Sequence, residues 1–509
     1  MFKKTVFLLS IFLLPLIYSA QRNGIDTLAK KTVEEFKFAD TDNDGLITQK
    51  ELQSIIDEVF DKKTNYTSLD VYRLTLYFRN QYLPQAMQTG SNLTETELSR
   101  DSTASDIKPS FFDRYFVVGA EITGLYQYSS KLTKAKYDGP VSLSPKSHNE
   151  TLTLFTLPIL VTPWKGSEFN FTPEFSDGNG VGNGAGVAAY PAALYGFPTS
   201  RPYILRAQYK QSFETDTAKK SRIKSYNFTI GQFILQEMFS SNPYSGNPKH
   251  DFLNFSHTML NAWDAATTAY GYTYGMASSL LFKRSSLNMA LVTVNKDAGG
   301  PNTDWTVNKG YSINMQYAQE YFLFNKPGTI RALGFMNSTK SGIYKKFEYD
   351  SLSASAFFSD SLKSYQKKIG FGVDADLAVN ENFGIFARFS WNDGKSESWG
   401  YTQCDGSINA GISYKLGKFN RRDDGFGICG SYNTISADHR RFLKNGGSGF
   451  MIGDGTLTYA PEIVGEAYYM VNIFEHCFIT LNYQYLHNPA YNSDRGPANF
   501  IGGRLHVEF

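Results

Sequence analysis

Ile501-Gly502-Gly503-Arg504-Leu505-His506-Val507-Glu508-Phe509, the last nine residues, decide the fold. Ile501, Leu505, Val507 and Phe509 fall on one face of an extended chain, and Arg504, His506 and Glu508 fall on the other. Successive side chains of a strand point to opposite sides, so a strict period of two means a strand with one apolar and one polar face. The pattern recurs upstream. Cys477, Ile479, Leu481, Tyr483 and Tyr485 oppose Thr480, Asn482 and Gln484. Ile408, Ala410, Ile412, Tyr414 and Leu416 oppose Asn409, Ser413 and Lys415. Phe383, Ile385, Ala387, Phe389 and Trp391 oppose Phe386, Arg388 and Ser390, and Phe371, Val373, Ala375, Leu377 and Val379 oppose Asp374 and Asp376. Tyr311, Ile313, Met315 and Tyr317 oppose Ser312, Asn314 and Gln316.

A soluble sandwich alternates too, but its strands average about 5–6 residues. These segments run to about ten, the length of a tilted crossing of a hydrocarbon layer, and their ends carry Tyr and Phe as an interfacial girdle would. Composition agrees. Aromatic residues (40 Phe, 33 Tyr, 5 Trp) make up 15% of the 509 residues and charged residues only 19%, against roughly 25% charged in soluble domains. That aromatic load excludes disorder. A mean hydropathy of -0.34, with one apolar run only, excludes a bundle of membrane helices. The net charge of +2 gives no sign of a nucleic-acid partner. Roughly 16 to 18 alternating segments lie between residues 111 and 509, which predicts an antiparallel, all-β transmembrane barrel of about 16 strands. It must close, because an open edge in lipid strands its backbone groups. Asp374, Asp376, Arg388, Glu466 and Arg504 on the polar faces would then line a lumen.

The chain ahead of the barrel reads differently. Lys3 and Lys4 precede the apolar run Val6 to Ile17, and Tyr18-Ser19-Ala20 offers small residues for cleavage, so residues 1–20 are expected to be a secretory signal peptide. Residues 21–90 read as a small helical segment around D-T-D-N-D-G-L-I-T-Q-K-E, residues 40–51. Asp40, Asp42 and Asp44 stand at loop positions 1, 3 and 5, Gly45 at 6 and Glu51 at 12, the spacing of a calcium-binding EF-hand. Three carboxylates on alternate positions face a hard cation, the Leu46 carbonyl adds an oxygen, Thr48 acts through water, and Glu51 closes the shell with both oxygens. Residues 91–110, rich in Ser, Thr and acidic residues, read as a linker to the barrel at 111–509.

Cys404, Cys429 and Cys477 are an odd number, so at least one is unpaired, and no C-x-x-C or Cys/His metal spacing occurs. Cys404 and Cys429 flank what reads as one strand and either bridge in an oxidising compartment or remain two buried thiols. Catalytic strings of the G-x-S-x-G, H-E-x-x-H and P-loop kinds are absent, so the chain does not read as an enzyme.

Five fragments in order resemble the carbohydrate-selective porins of the OprB type. They are Glu174 with Gly178-Asn179-Gly180; Asn261-Ala262-Trp263-Asp264 with Gly271-Tyr272-Thr273-Tyr274-Gly275; and Gly384 to Gly394. Tyr459-Ala460-Pro461-Glu462 with Glu466, Tyr468 and Tyr469 is the fourth, and Asn488 to Pro497 closing on Gly503 to Phe509 is the fifth. The resemblance implies a bacterial outer-membrane barrel, commonly of sixteen strands, that passes glucose and other small sugars down a gradient. The EF-hand-like segment is not part of that family's usual pattern and suggests a regulatory or docking role, with a partner, on the periplasmic side. A porin of this kind is a monomer or a trimer.

A neutral, hydroxyl-covered sugar needs fixed donors and acceptors plus an aromatic face. Arg supplies forked donors and Asp or Glu supplies acceptors. Candidate sugar contacts are Glu174, Arg206, Trp263, Asp264, Arg388, Glu462, Glu466 and Arg504; each has the competing reading of a wall-stiffening ion pair, and Trp263 that of a girdle residue. Alternative functions are a general or ion-selective porin, and a calcium-dependent surface binding protein anchored by the barrel. The binding protein would need long loops, for which 131–149 and 176–200 are the only sizeable candidates. An energised receptor of about 22 strands with a plug exceeds the length.

Overall fold

The computed structural model describes residues 115–130, 134–135, 147–178, 187–194, 201–215, 222–347, 357–400, 402–416, 421, 424–474 and 476–509. The expected signal peptide, EF-hand-like segment and linker lie outside these residues.

Sixteen long strands form the sheet. They are Glu121–Ser129 (β1), His148–Thr156 (β2), Ser167–Gly178 (β3), Pro202–Glu214 (β4), Ile223–Ile234 (β5), Tyr272–Phe282 (β6), Ser285–Val292 (β7) and Tyr311–Leu323 (β8). Lys326–Ser341 (β9), Ser364–Ala378 (β10), Phe383–Asn392 (β11), Gly406–Lys415 (β12), Gly425–Thr434 (β13), Glu462–Phe474 (β14), Cys477–His487 (β15) and Ala498–Glu508 (β16) follow. Neighbours in the chain pair antiparallel, and β16 pairs back onto β1 (Val507 opposite Ile122, Leu505 opposite Gly124), which closes the barrel. Closure satisfies every ladder without an edge, as a hydrocarbon environment demands.

The burial pattern is inverted relative to a soluble protein. Leu481 is 66% exposed while its neighbours Thr480 and Asn482 are buried; Ile408, Ile428 and Ile501 are exposed, whereas Asn409 and Arg504 are buried. Register keeps the faces consistent around the wall: Asp374 lies opposite Arg388, which lies opposite Asn409, and Phe371 lies opposite Trp391 on the outer face. Rings gather at the strand ends, with Phe383, Tyr414 and Phe426 in a row (6.3 and 5.5 Å between centroids), and Tyr272, Tyr274 and Trp305 in another at the opposite rim (5.7 and 4.9 Å). These are two aromatic belts. Among the described residues no helix is long and apolar enough to cross a membrane.

One rim carries short turns (Lys283–Arg284, Phe324–Asn325, residues 379–382), and the other carries long loops. The loop lengths correct the sequence reading. Residues 235–271 and 435–461 are connections longer than either of the two regarded as the only sizeable ones, and 342–363 is longer than 131–149. The connection 235–271 escapes notice because Leu235, Phe239, Phe252, Leu253, Phe255 and Leu260 give it an apolar content not expected of an exposed loop. At the loop rim Tyr344, Phe347, Phe358, Phe442, Leu443, Met451, Ile452 and Tyr491 form a core of their own, around the helix Ala437–Lys444. Ser436 caps that helix by accepting the His439 amide at 3.1 Å. Cys404 and Cys429 are free, buried thiols, and Cys477 is also free. Cys429 lies opposite Gly411, well below Cys404, which sits at the rim beside Gly406.

Candidate functional site

The connection from Leu235 to Gly271 folds into the barrel. Its apolar residues would be costly on a surface and are buried here: Leu235, Phe239, Phe252, Leu253, Phe255, Met259, Leu260, Trp263 and Ala265. The wall makes room with glycines. A Cβ on Gly372 would lie 2.6 Å from Leu260, and one on Gly427 would lie 2.7 Å from Phe252. Phe252 sits edge-on to Phe386 and Tyr468 at 5.8 and 4.9 Å.

A buried loop must also satisfy its backbone groups. The polar inner faces of successive strands do this. From β14, Glu466 accepts the amides of Leu253 (2.6 Å) and Asn254 (3.1 Å), Asn482 Nδ2 (2.6 Å) and His257 Nδ1 (2.7 Å). Arg388 on β11 donates to the His257 carbonyl (2.5 Å), to the Ser245 carbonyl (3.3 Å) and to Asp374. Asp374 also accepts from Arg331 (2.9 Å) and Asn242 (2.9 Å). Arg504 on β16 donates to the Pro248 and Asp251 carbonyls at 2.5 and 3.0 Å and to Thr480 at 2.9 Å. Asn254 accepts the Ser256 amide at 2.9 Å, capping a one-turn helix, and donates to Gln484 at 3.0 Å.

The other candidates are placed as follows. Trp263 is a buried residue of the inward loop, not of the girdle; its Nε1 donates to Asn314 at 3.0 Å and its ring meets Phe239. Asp264 accepts the amides of Trp399 (2.7 Å) and Gly400 (2.5 Å) and faces Lys368 at 3.1 Å. Glu462 accepts the amides of Ala188 (3.1 Å) and Ala490 (2.9 Å), tying two rim loops together. Glu174 accepts from Thr156 (2.7 Å) and Tyr203 (2.5 Å) and is buried. Arg206 pairs with Glu237 of the inward loop, at 3.1 Å through Nε, and of this pair Glu237 is half exposed. Seven of the eight are thus buried against protein partners; six of these hold loops in place, and Glu174 joins neighbouring wall strands.

The loop and the rim core cover the inner faces of β8 to β16 but not the turn-side halves of β3 to β7. There the inward positions stay partly exposed: Asn170, Gln208, Lys210, Ser212, Asn227, Ser279 and, at the edge of the loop, Asn288, whose Nδ2 donates to the Met238 carbonyl at 2.9 Å. Register makes them one strip, since Asn227 lies opposite Ser279 and Ser279 opposite Asn288, while Lys210 reaches Glu168 at 3.9 Å. Amides and hydroxyls dominate it. Sequence reading missed this strip because it sought charges and aromatic rings; the available signal was Asn, Gln and Ser recurring on the polar faces of adjacent strands.

A family model described as carbohydrate-selective porin, OprB family, matches residues 157–509. Among solved structures, the high-pH structure of Pseudomonas putida OprB aligns with a TM-score of 0.60 at 16% identity, covering 78% of this chain and 95% of that one. The outer-membrane channel DcaP of Acinetobacter baumannii aligns with a TM-score of 0.45 at 11% identity, covering 77% and 97%. No curated protein matches the chain. The first structural likeness agrees with the closed sixteen-strand barrel, and the family match extends over more than two thirds of the sequence. The chain belongs to the carbohydrate-selective porin family, OprB, and its barrel is that of an outer-membrane channel rather than of an enzyme.

Proposed function

We propose that this porin passes small neutral sugars such as glucose by passive diffusion, along the half-exposed strip of β3 to β7 and past the inward loop. The observation that carries this is the chemistry of the strip. Asn170, Gln208, Ser212, Asn227, Ser279 and Asn288 offer neutral donors and acceptors in a row, and Lys210 among them is matched by Glu168. Neutral amides and hydroxyls exchange hydrogen bonds with sugar hydroxyls at small cost, and weak multi-site binding lets the solute leave as readily as it enters. Arg206 and Glu237 stand where the strip meets the loop and supply the charged contact. Trp263, Asp264, Arg388, Glu466 and Arg504 act by holding the loop that narrows the path, while Glu174 joins wall strands and Glu462 joins rim loops. The loop rim faces outward and the turn rim faces the periplasm, where residues 21–90 would sit. Proteoliposome swelling tests the reading: influx of glucose or xylose is faster than that of a charged solute of equal size, and equal rates overturn the sugar preference.

The loop at Asp40, Asp42, Asp44, Leu46, Thr48 and Glu51 is proposed to bind Ca2+, supported by position-by-position agreement with EF-hand spacing. Calorimetry on the full chain tests it. Glu51→Gln is expected to weaken binding by about tenfold or more through loss of the bidentate ligand, with conductance retained.

A further inference from the structure

We propose that His250, His506 and Glu508 form a binding site for a divalent transition-metal ion of the zinc type at the turn rim, joining the inward loop to the last strand. They come from two parts of the fold. His250 lies on the inward loop, His506 on the inner face of β16, and Glu508 at that strand's end. One ligand atom from each lies within 4.8 Å of the other two. His250 Nε2 is 3.7 Å, and His506 Nε2 is 3.4 Å, from the same oxygen, Glu508 Oε2. A tetrahedral ion bonded at about 2.0–2.1 Å to nitrogen and oxygen holds its ligand atoms about 3.4 Å apart. The two nitrogen–oxygen spacings match that distance to within a few tenths of an ångström, and the two imidazole nitrogens, within 4.8 Å of each other, need only draw together around the ion.

The surroundings orient the ligands. Thr123 Oγ1 on β1 lies 2.8 Å from His506 Nδ1. With Nδ1–H donating to that hydroxyl, the Nε2 lone pair points to Glu508 and His250, the outer-shell arrangement that fixes a metal-binding imidazole. The two imidazole rings meet edge to face at 4.8 Å, and Phe478 lies against both, at 4.7 Å from His250 and 6.4 Å from His506. The neighbouring cation, Lys249, is paired with Glu121, so it does not compete for Glu508. His506 is fully buried, whereas Glu508 is 39% and His250 21% exposed in their side chains. That gives an entry path and a fourth position for water. Two imidazoles and one carboxylate plus water suit zinc better than Ca2+ or Mg2+, which prefer all-oxygen shells. A bound ion would fasten the loop at the point where Arg504 already holds the Pro248 and Asp251 carbonyls.

The test is a ZnCl2 titration by calorimetry of the full chain in detergent, purified without a histidine tag. Excess Ca2+ occupies the acidic loop at 40–51. One saturable site is expected, and Co2+ in its place gives the intense visible bands of a tetrahedral complex. His250→Gln and Glu508→Gln each weaken binding by about tenfold or more, and Thr123→Val weakens it by about tenfold by removing the hydroxyl that orients the His506 ring. His250→Gln leaves every barrel strand unaltered, and heat-modified electrophoretic mobility checks that the barrel is folded. Zn2+ raises the heat-denaturation temperature of the parent and not of His250→Gln. No saturable site in the parent, or binding to His250→Gln and Glu508→Gln as tight as to the parent, overturns the proposal.

Discussion

The carboxylate of Glu466 accepts the backbone amide of Leu253 at 2.6 Å, joining positions 213 residues apart. Three further donors, the Asn254 amide, Asn482 Nδ2 and His257 Nδ1, occupy the same carboxylate. A buried, charged acceptor is stable only when fully hydrogen-bonded. Glu466 and the inward loop are therefore mutually dependent: the loop supplies the donors that let a carboxylate sit inside the barrel, and the carboxylate supplies the acceptor that lets a loop backbone leave water.

Replacing Glu466 by Ala removes four acceptor contacts at once and is expected to release residues 251–257 from the wall. Each buried donor left unpaired costs about 1–3 kcal/mol. Single-channel recordings on the Glu466→Ala variant are expected to show larger, noisier conductance, and the unfolding temperature falls. A variant with parental conductance would mean that the loop holds its place without this contact.

Arg388 spans Asp374 and two loop carbonyls. Breaking a buried ion pair by removing one partner costs about 3–5 kcal/mol, but Asp374 keeps Arg331 at 2.9 Å. The loss for Arg388→Ala therefore falls at the lower end of that range. Arg388→Lys recovers only part of it, since an ammonium cannot serve three acceptors arranged for a planar fork. Thermal unfolding in detergent, followed by circular dichroism, ranks the three proteins.

How far the sequence revealed all this varies by residue. The outer wall was legible, because Ile408, Leu481 and Ile501 face lipid and their neighbours do not, and a period of two survives any tertiary context. The strand count followed, since lipid thickness sets strand length. The roles of Glu466, Arg388 and Arg504 were only half legible. Alternation put them inside, but nothing local says that a loop 120 to 260 residues earlier comes to meet them. Trp263 was legible only as an aromatic; its burial depends on Phe239 and Asn314, which no spacing connects. The neutral strip of Asn227, Ser279 and Asn288 went unread because each residue alone is ordinary, and only the register joins them.

The lipid-facing assignment is testable at one position. Leu481 is 66% exposed on β15. Arg at the midplane of an outer-membrane strand costs about 2–4 kcal/mol, falling toward the interfaces. Leu481→Arg is expected to destabilise the barrel by that order in urea unfolding from vesicles, while Leu481→Phe is near neutral. Equal stability of the two would contradict the outward face of β15.

At the loop rim, burial opposes ionisation of Asp405, but His439 at 2.9 Å and the Ser436 amide at 2.8 Å hold its carboxyl below the usual 3.8. A carboxylate with a lowered folded value adds stability that is present above its unfolded value and is lost as the pH falls through the folded one. The rim core around Tyr344, Phe442 and Tyr491 is thus expected to stay closed from neutral pH to about 4 and to loosen below that. His439→Ala removes the partner and shifts the loosening to higher pH. Hydrogen exchange of residues 435–461 across a pH series, corrected for intrinsic rates, measures both. Identical profiles for parent and variant would show that the pair does not govern the rim.

The strip itself gives the most direct test of the path. Ser279 faces inward between Asn227 and Asn288 at a half-exposed position. Ser279→Trp adds a large ring there without removing any contact that holds the inward loop, so unfolding temperature is expected to change little while glucose swelling rates fall several-fold. Ser431→Trp, on the covered inner face of β13, meets the packed loop and is expected to lower stability by about 1–3 kcal/mol, the usual cost of overpacking. If instead Ser279→Trp leaves sugar influx unchanged, the solute does not travel along β5 to β7, and the path lies on another part of the wall.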